Sequence, residues 1–430
     1  MSANGQSVAN GNANGCAKSA RREWRVEVSR RARQTCNPLR EIIEFMNIKP
    51  NPDKSLIPLS IGDPTVFGNM KACQEIQDAV TRAAADHANN GYSQIIGSQA
   101  AREAVANYMN RSQHSITADD VIIVNGCSSA AEMALVVLAN PGQNVLCPSP
   151  GYTVFRTVSQ AHDIEFRPYN LLPDQRWEAD LQHMESLIDE NTVAIVVINP
   201  SNPCGSVFSR SHLEAVIALA EKHCLPIIAD EIYEHIVFNG KKYYSLAPLS
   251  KNVPVIQLGA ISKRFLAPGW RLGWIILHDR NDILKEVRGN LAKLSGVPLC
   301  PNTIVQGALP AILKNTPQSF YDDINLQLQA TANIAFELLS QIEGMKPVMP
   351  DGAMYMMVGV DLKHFPKFKD GLAFVKALVE EESVFGLPGD CFGLPNFIRI
   401  VITIPEEKMR EACTRIEKFC TTHRSVNPRD

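Results

Sequence analysis

No run in the sequence approaches the roughly 20 apolar residues needed to cross a bilayer. Ala130–Ala139 is broken by Glu132, and Val193–Ile198 is too short. There is also little excess of either charge. The 42 basic and 45 acidic residues are interspersed and leave a net charge of −3, whereas a dedicated nucleic-acid binder carries a basic face. Neither a membrane nor a nucleic acid is therefore an expected partner. No C-x-x-C pair occurs among the 11 cysteines, so zinc-ribbon and dithiol spacings are missing. The odd count, without a secretory signal, points to reduced thiols that serve as small buried hydrophobes. G-x-G-x-x-G, the Walker lysine loop, H-E-x-x-H and G-x-S-x-G are absent, as is any internal repeat.

A chain of 430 residues, 45% hydrophobic, can bury roughly three quarters of its unfolded surface without staples. Its first 20 residues include 15 Ala, Asn, Gly or Ser, too little apolar surface to offset the entropy of ordering, so residues 1–36 read as a disordered or extended tail. Residues 18–33 are basic. A mitochondrial transit peptide is one reading of them, but no run of large apolar residues lines one helical face, and a cytoplasmic location is expected. From Asn37 onward, apolar runs such as Val121–Val124, Val193–Ile198 and Val255–Leu258 alternate with helical segments such as Ala130–Ala139 and Ser211–Lys222. That alternation predicts an α/β fold with a mainly parallel sheet covered by helices. From about Asn325 the pattern shifts to a long helix, short strands and the amphipathic Gly371–Glu382, as in a smaller α+β domain. The expected division is a large domain over 76–325 and a small domain built from 37–75 and 326–430.

Ligands in such sheets bind beyond the carboxyl ends of the strands, so the residues there carry the chemistry. Val121–Val124 is followed by Asn125-Gly126-Cys127-Ser128-Ser129 and a helix, which is either an anion cradle or a plain N-cap. Val193–Ile198 is followed by two Asn-Pro pairs, which make a rigid turn around Asn202. Pro226–Ala229 runs into Asp230, with Tyr233 three residues later, and an acid ending an apolar strand needs a cationic partner or a helix to cap. Val255–Leu258 leads to Lys263 and, eight residues on, Arg271. Lysine forms Schiff bases, and arginine offers a planar fork to phosphate.

Each residue alone has a bland structural reading, but the set does not. Intervals of 28 residues from Asn202 to Asp230, 3 to Tyr233, 30 to Lys263 and 8 to Arg271 place all five after successive strands. Pyridoxal 5′-phosphate requires such a set: phosphate anchors, an anion for the pyridine nitrogen, a donor for the 3′-oxygen and an amine for the aldehyde.

The chain resembles the class I aminotransferases, fold-type-I pyridoxal-phosphate enzymes. The resemblance rests on Asn37-Pro38-Leu39-Arg40, Leu59–Asn69, Asn90-Gly91-Tyr92, Asn199–Phe208, Asp230–Tyr233, Pro268–Trp274, Thr303–Leu309, Gly352-Ala353-Met354-Tyr355 and Phe397–Pro405. It spans Trp24 to about His423, and its longest stretches are those of members acting on tyrosine. It implies a large domain with a sheet of the seven-stranded type, a smaller α+β domain, and transfer of the amino group of L-tyrosine to 2-oxoglutarate. A broader aromatic or alanine-type aminotransferase, or an inactive homologue serving as a binding module, is the alternative.

It further implies that Lys263 carries the cofactor as a Schiff base and shuttles the substrate proton, and that Asp230 pairs with the pyridine nitrogen. Tyr233 and Asn202 should bond the 3′-oxygen, with Asn202 also near the substrate carboxylate. Gly126, Cys127, Ser128 and Arg271 should hold the phosphate, and Tyr152 should stack on the ring. Arg399 should grip the substrate α-carboxylate, with Gly62 closing over it. Tyr92 should reach the phosphate of a neighbouring subunit, which implies a homodimer with shared sites. One departure stands out: Ala260 occupies the position, three before Lys263, where many relatives carry a hydroxyl, and the nearest hydroxyl is that of Ser262.

Overall fold

The computed structural model describes residues 24, 26–42, 48–110, 116–238 and 240–425. Two sheets organise them. The larger contains β1 (Val121–Val124), β2 (Asn144–Ser149), β3 (Glu165–Leu172), β4 (Glu178–Ala179), β5 (Thr192–Ile198), β6 (Ile227–Asp230), β7 (Val255–Ala260) and β8 (Gly273–His278), in the order β1-β8-β7-β6-β5-β2-β3-β4. From β3 to β7 every neighbouring pair is parallel; β8 is reversed against both β7 and β1. The fold is thus of the expected α/β type, with seven substantial strands and a two-residue eighth at the edge.

β1 and β6 are buried at every residue, as near-continuous apolar runs require when helices cover both faces. β3 is the substantial strand that apolar runs do not reveal. It lies near the sheet edge, and Glu165, Arg167 and Asn170 interrupt its apolar character. The helix Cys127–Leu138 buries Leu135 together with Ala130, Ala131 and Ala134, whose small side chains let it lie close to the sheet.

The smaller sheet comprises β9 (Met345–Val348), β10 (Tyr355–Val360), β11 (Leu387–Pro388) and β12 (Phe397–Val401), all antiparallel, in the order β11-β12-β10-β9. The helix Gly371–Glu382 packs beside it, capped by the Asp370 side chain, which accepts from Ala373 N at 2.7 Å. The long helix begins at Gln318, earlier than its apolar face announces, and runs to Ser340. Residues before the large sheet also join the small one. Ile57 N donates to Ser383 O at 2.8 Å, and Val401 N donates to Leu59 O at 2.9 Å, so residues 60–63 lie along the rim between the sheets.

Of the tail expected over residues 1–36, residues 1–23 and 25 lie outside the described residues. Further on, Arg30–Gln34 forms a short helix rather than an extended segment. The Ser29 side chain caps it, and Arg30 and Arg31 reach Asp163 and Glu132 at 2.6 and 3.2 Å. These local acid partners, far off in sequence, are what a count of basic residues cannot reveal. No helix among the described residues is long and apolar enough to cross a membrane.

Candidate active site

Register aligns the chemistry. Ile198, Asp230 and Leu258 sit side by side at the carboxyl ends of β5, β6 and β7. The loops that follow carry Asn202, Tyr233 and Lys263 into one cavity of about 540 Å³, closed from the other side by Ser60–Asp63, Tyr355 and Arg399. Of the residues singled out by sequence, Gly62, Cys127, Ser128, Tyr152, Asn202, Asp230, Tyr233, Lys263, Arg271 and Arg399 line this cavity. Gly126 lies directly behind Arg271. Tyr92 does not join them. It is 86% exposed and lines a separate concavity with Cys300–Ile304.

At one end, Gly126 precedes the helix Cys127–Leu138 with φ +81°, a conformation that side chains rarely adopt. A Cβ there would lie 2.5 Å from Arg271 Nη2. The close approach lets Arg271 donate to Asn125 O at 3.2 Å and to Pro268 O at 2.9 Å, fixing its guanidinium over the helix N-terminus. Free backbone N–H groups, the helix dipole and a cation thus converge on one spot, suited to a phosphate dianion. Cys127 contributes only its backbone there. Its Sγ points instead at Asp230 Oδ1, 3.7 Å away, and burial, followed by the Asp230 charge, pushes the thiol well above its ordinary range. Ser262 lines the cavity, whereas Ala260 is buried in β7.

In the middle, Asp230 is 4% exposed and accepts from Ile232 N at 3.3 Å, yet no lysine or arginine among the described residues pairs with it. Burial accordingly lifts its carboxyl from 3.8 to about 6. A buried acid that faces a cavity without a cation is suited to a ligand that brings one. Lys263 Nζ donates to the carbonyl of Gly62, which ties the amine to the opposite rim. Partly buried Tyr152 covers the same space; burial raises its phenol, opposed by a hydrogen bond with Ser128.

At the far end, Arg399 on β12 is 2% exposed and pairs with no carboxylate among the described residues. Its Nη1 donates to Asn202 Oδ1 at 3.2 Å and its Nη2 to Ser60 O at 2.7 Å, while Nε has no partner. The guanidinium lies 4.3 Å from the Tyr355 ring and 5.0 Å from Phe392. Desolvation lowers its pKa. A desolvated, incompletely satisfied guanidinium facing a cavity is a receptor for a carboxylate.

Tyr355 is the residue that reasoning from strand ends missed. It opens β10, its hydroxyl is 2.8 Å from that of Tyr233, and a Cβ on Gly62 would come within 2.7 Å of it. The sequence signal was a lone phenol at the head of an otherwise apolar strand.

Amine, unpaired acid, anion cradle and carboxylate receptor together make a site for amino-group chemistry on a phosphorylated cofactor, set between two sheets. The family follows from comparison. A model of the family Aminotransferase class I and II matches residues 54–416, and the chain belongs to that family. The mouse tyrosine aminotransferase is 50% identical over 410 residues, 95% of this chain and 90% of its own. Tyrosine aminotransferase of Dictyostelium discoideum is 43% identical over 410 residues, covering 94% of this chain and 98% of its own. The crystal structure of tyrosine aminotransferase from Leishmania infantum aligns with a TM-score of 0.90 at 34% identity, over 94% of this chain and 100% of that one.

Proposed function

We propose that this chain transfers the amino group of L-tyrosine to 2-oxoglutarate, giving 4-hydroxyphenylpyruvate and L-glutamate, with pyridoxal 5′-phosphate as cofactor. The observation that carries the reading is the pairing of a buried, cation-free Asp230 with an amine, Lys263, in one cavity whose far wall is the acid-free Arg399. The relatives above supply the choice of amino acid.

Gly126, Cys127 and Ser128 would hold the cofactor phosphate through the loop and helix N-terminus, joined by Arg271 and, from a second subunit, Tyr92. Asp230 would keep the pyridine nitrogen protonated, Tyr233 and Asn202 would bond the 3′-oxygen, and Tyr152 would cover the ring. When bound, the cofactor supplies an electron sink for the charge that develops at the substrate Cα.

The chain's own groups do the rest. Arg399 seats the α-carboxylate that the amino acid and the keto acid share, so both substrates take up one orientation in turn. Lys263 Nζ acts as the base that removes the Cα proton. Gly62 and Ser60, on the segment joined to the small sheet, cap the cavity and exclude water from that carboxylate. Tyr92, Val297 and Leu299 leave apolar surface exposed near the Cys300–Ile304 segment, in keeping with a second copy docking there. We place the enzyme in the cytoplasm.

The experiment is a panel of amino donors with 2-oxoglutarate as acceptor. Tyrosine should give the highest kcat/KM among tyrosine, phenylalanine, methionine and alanine. Alanine leading by tenfold would replace this reading with the alanine-type alternative, and no turnover on any of them would favour a binding module.

A further inference from the structure

Tyr355 stands where three parts of the cavity meet. Its hydroxyl is 2.8 Å from that of Tyr233, its ring carries the Arg399 guanidinium at 4.3 Å, and its side chain is only 1% exposed. The two phenol rings meet edge-on at 82°, with centroids 5.8 Å apart. A phenol has one proton and can also accept. In a pair of buried phenols, one must donate to the other, and the acceptor's own proton is then free for a third group.

We propose that Tyr355 is a positioning residue that donates its hydroxyl proton to Tyr233 Oη, so committing the Tyr233 proton to the cofactor's 3′-oxygen, while its ring holds Arg399 flat for the substrate carboxylate. The inference rests on the cofactor reading above and deepens it.

The direction of the relay follows from proton count. Tyr233 has one hydroxyl proton, and the cofactor reading commits it to the 3′-oxygen, so across the 2.8 Å contact Tyr355 is the donor and Tyr233 the acceptor. Tyr355 also faces Lys263, Arg399, Tyr152 and Asp63. A Tyr233 that already accepts a hydrogen bond is in turn a stronger donor, since hydrogen bonds in a chain polarise one another. Gly62 belongs to the same arrangement, because a Cβ there would meet Tyr355 Oη at 2.7 Å and push it off Tyr233.

The test reads the visible pH titration of the bound cofactor, which reports charge at the 3′-oxygen independently of turnover. Tyr355→Phe keeps the ring beneath Arg399 and removes only the hydroxyl. Weaker donation to a negative 3′-oxygen disfavours the deprotonated chromophore. The titration midpoint should therefore rise by roughly 0.4–1 pH unit, the equivalent of one hydrogen bond. kcat should fall more than KM rises, and the melting temperature of the cofactor-free chain should change little. In a Tyr233→Phe background, Tyr355→Phe should move the midpoint no further. Tyr355→His, which retains a ring N–H, should lie closer to wild type. If Tyr355→Phe does not fold, Tyr355→Leu and Tyr355→His give the same contrast between a side chain that cannot donate and one that can. A midpoint that does not move, or shifts that add across the two tyrosines, overturns the inference alone. A wild-type chain that takes up no cofactor and shows no visible band overturns the inference and the proposed function together.

Discussion

Arg399 Nη1 donates to Asn202 Oδ1 at 3.2 Å, a single hydrogen bond that joins β12 of the small sheet to the loop leaving β5 of the large one. Asn202 is expected at the 3′-oxygen of the cofactor and Arg399 at the substrate carboxylate. The contact therefore couples the two halves of the site before either ligand arrives. It also fixes one edge of the guanidinium and leaves Nε unmatched.

Arg399→Lys should weaken tyrosine and 2-oxoglutarate together, because both present an α-carboxylate to the same fork. A lysine cannot reproduce bidentate geometry, so kcat/KM should fall by about 2–5 kcal/mol for each half-reaction, with cofactor affinity unchanged. Kinetics of both half-reactions and a melting curve decide the matter. A lowered melting point with intact kcat/KM would reassign Arg399 to structure.

Asp230→Asn should trade activity for stability. Burial lifts Asp230 from 3.8 to about 6, so between those values the folded chain holds a proton that the unfolded chain has released. Stability from this group is thus lost as pH rises from about 4 to about 6, and Glu231, lifted by burial to about 7, adds to the loss in the same direction. Without cofactor, the asparagine variant should be more stable than wild type at pH 8 by up to about 3 kcal/mol. Its turnover with cofactor should drop about 100-fold, since the pyridine nitrogen loses its counter-charge. Wild-type turnover in this variant would remove Asp230 from the mechanism.

Gly126→Ala should loosen the phosphate end specifically. The backbone there has φ +81° and a Cβ would lie 2.5 Å from Arg271 Nη2, so both the loop and the guanidinium must shift. Such a strained position costs about 1–3 kcal/mol, which corresponds to a cofactor Kd raised by roughly tenfold or more. Equilibrium dialysis of the cofactor measures it directly. An unchanged Kd would mean that Arg271 does not hold the phosphate.

Much of this site was legible because parallel strands announce themselves. β1, β5, β6 and β7 are mostly apolar runs, and residues at or within a few positions of their carboxyl ends, Ser128, Asn202, Asp230 and Lys263, reach the cavity. Arg399 was legible for the opposite reason, as a charge inside an apolar strand. What stayed hidden depends on pairing across the chain. Tyr355 matters through its contacts with Tyr233 and Arg399, 122 and 44 residues away, which the lone phenol at the head of β10 does not announce. β3 was obscured by Glu165 and Arg167, whose charges suit a sheet edge. The Cys127 thiol faces Asp230 behind the phosphate loop, a contact across 103 residues that its place in the loop does not announce.

Lys263 carries the central claim. Lys263→Ala should leave a folded chain that still binds the phosphate end of the cofactor, with turnover lowered by about 10⁴-fold or more. The most direct measurement is borohydride reduction of the wild-type holoenzyme followed by peptide mapping. A single pyridoxyl-labelled peptide containing Lys263 is the predicted result. A label on another lysine, or none on a chain that turns over tyrosine, would contradict the account.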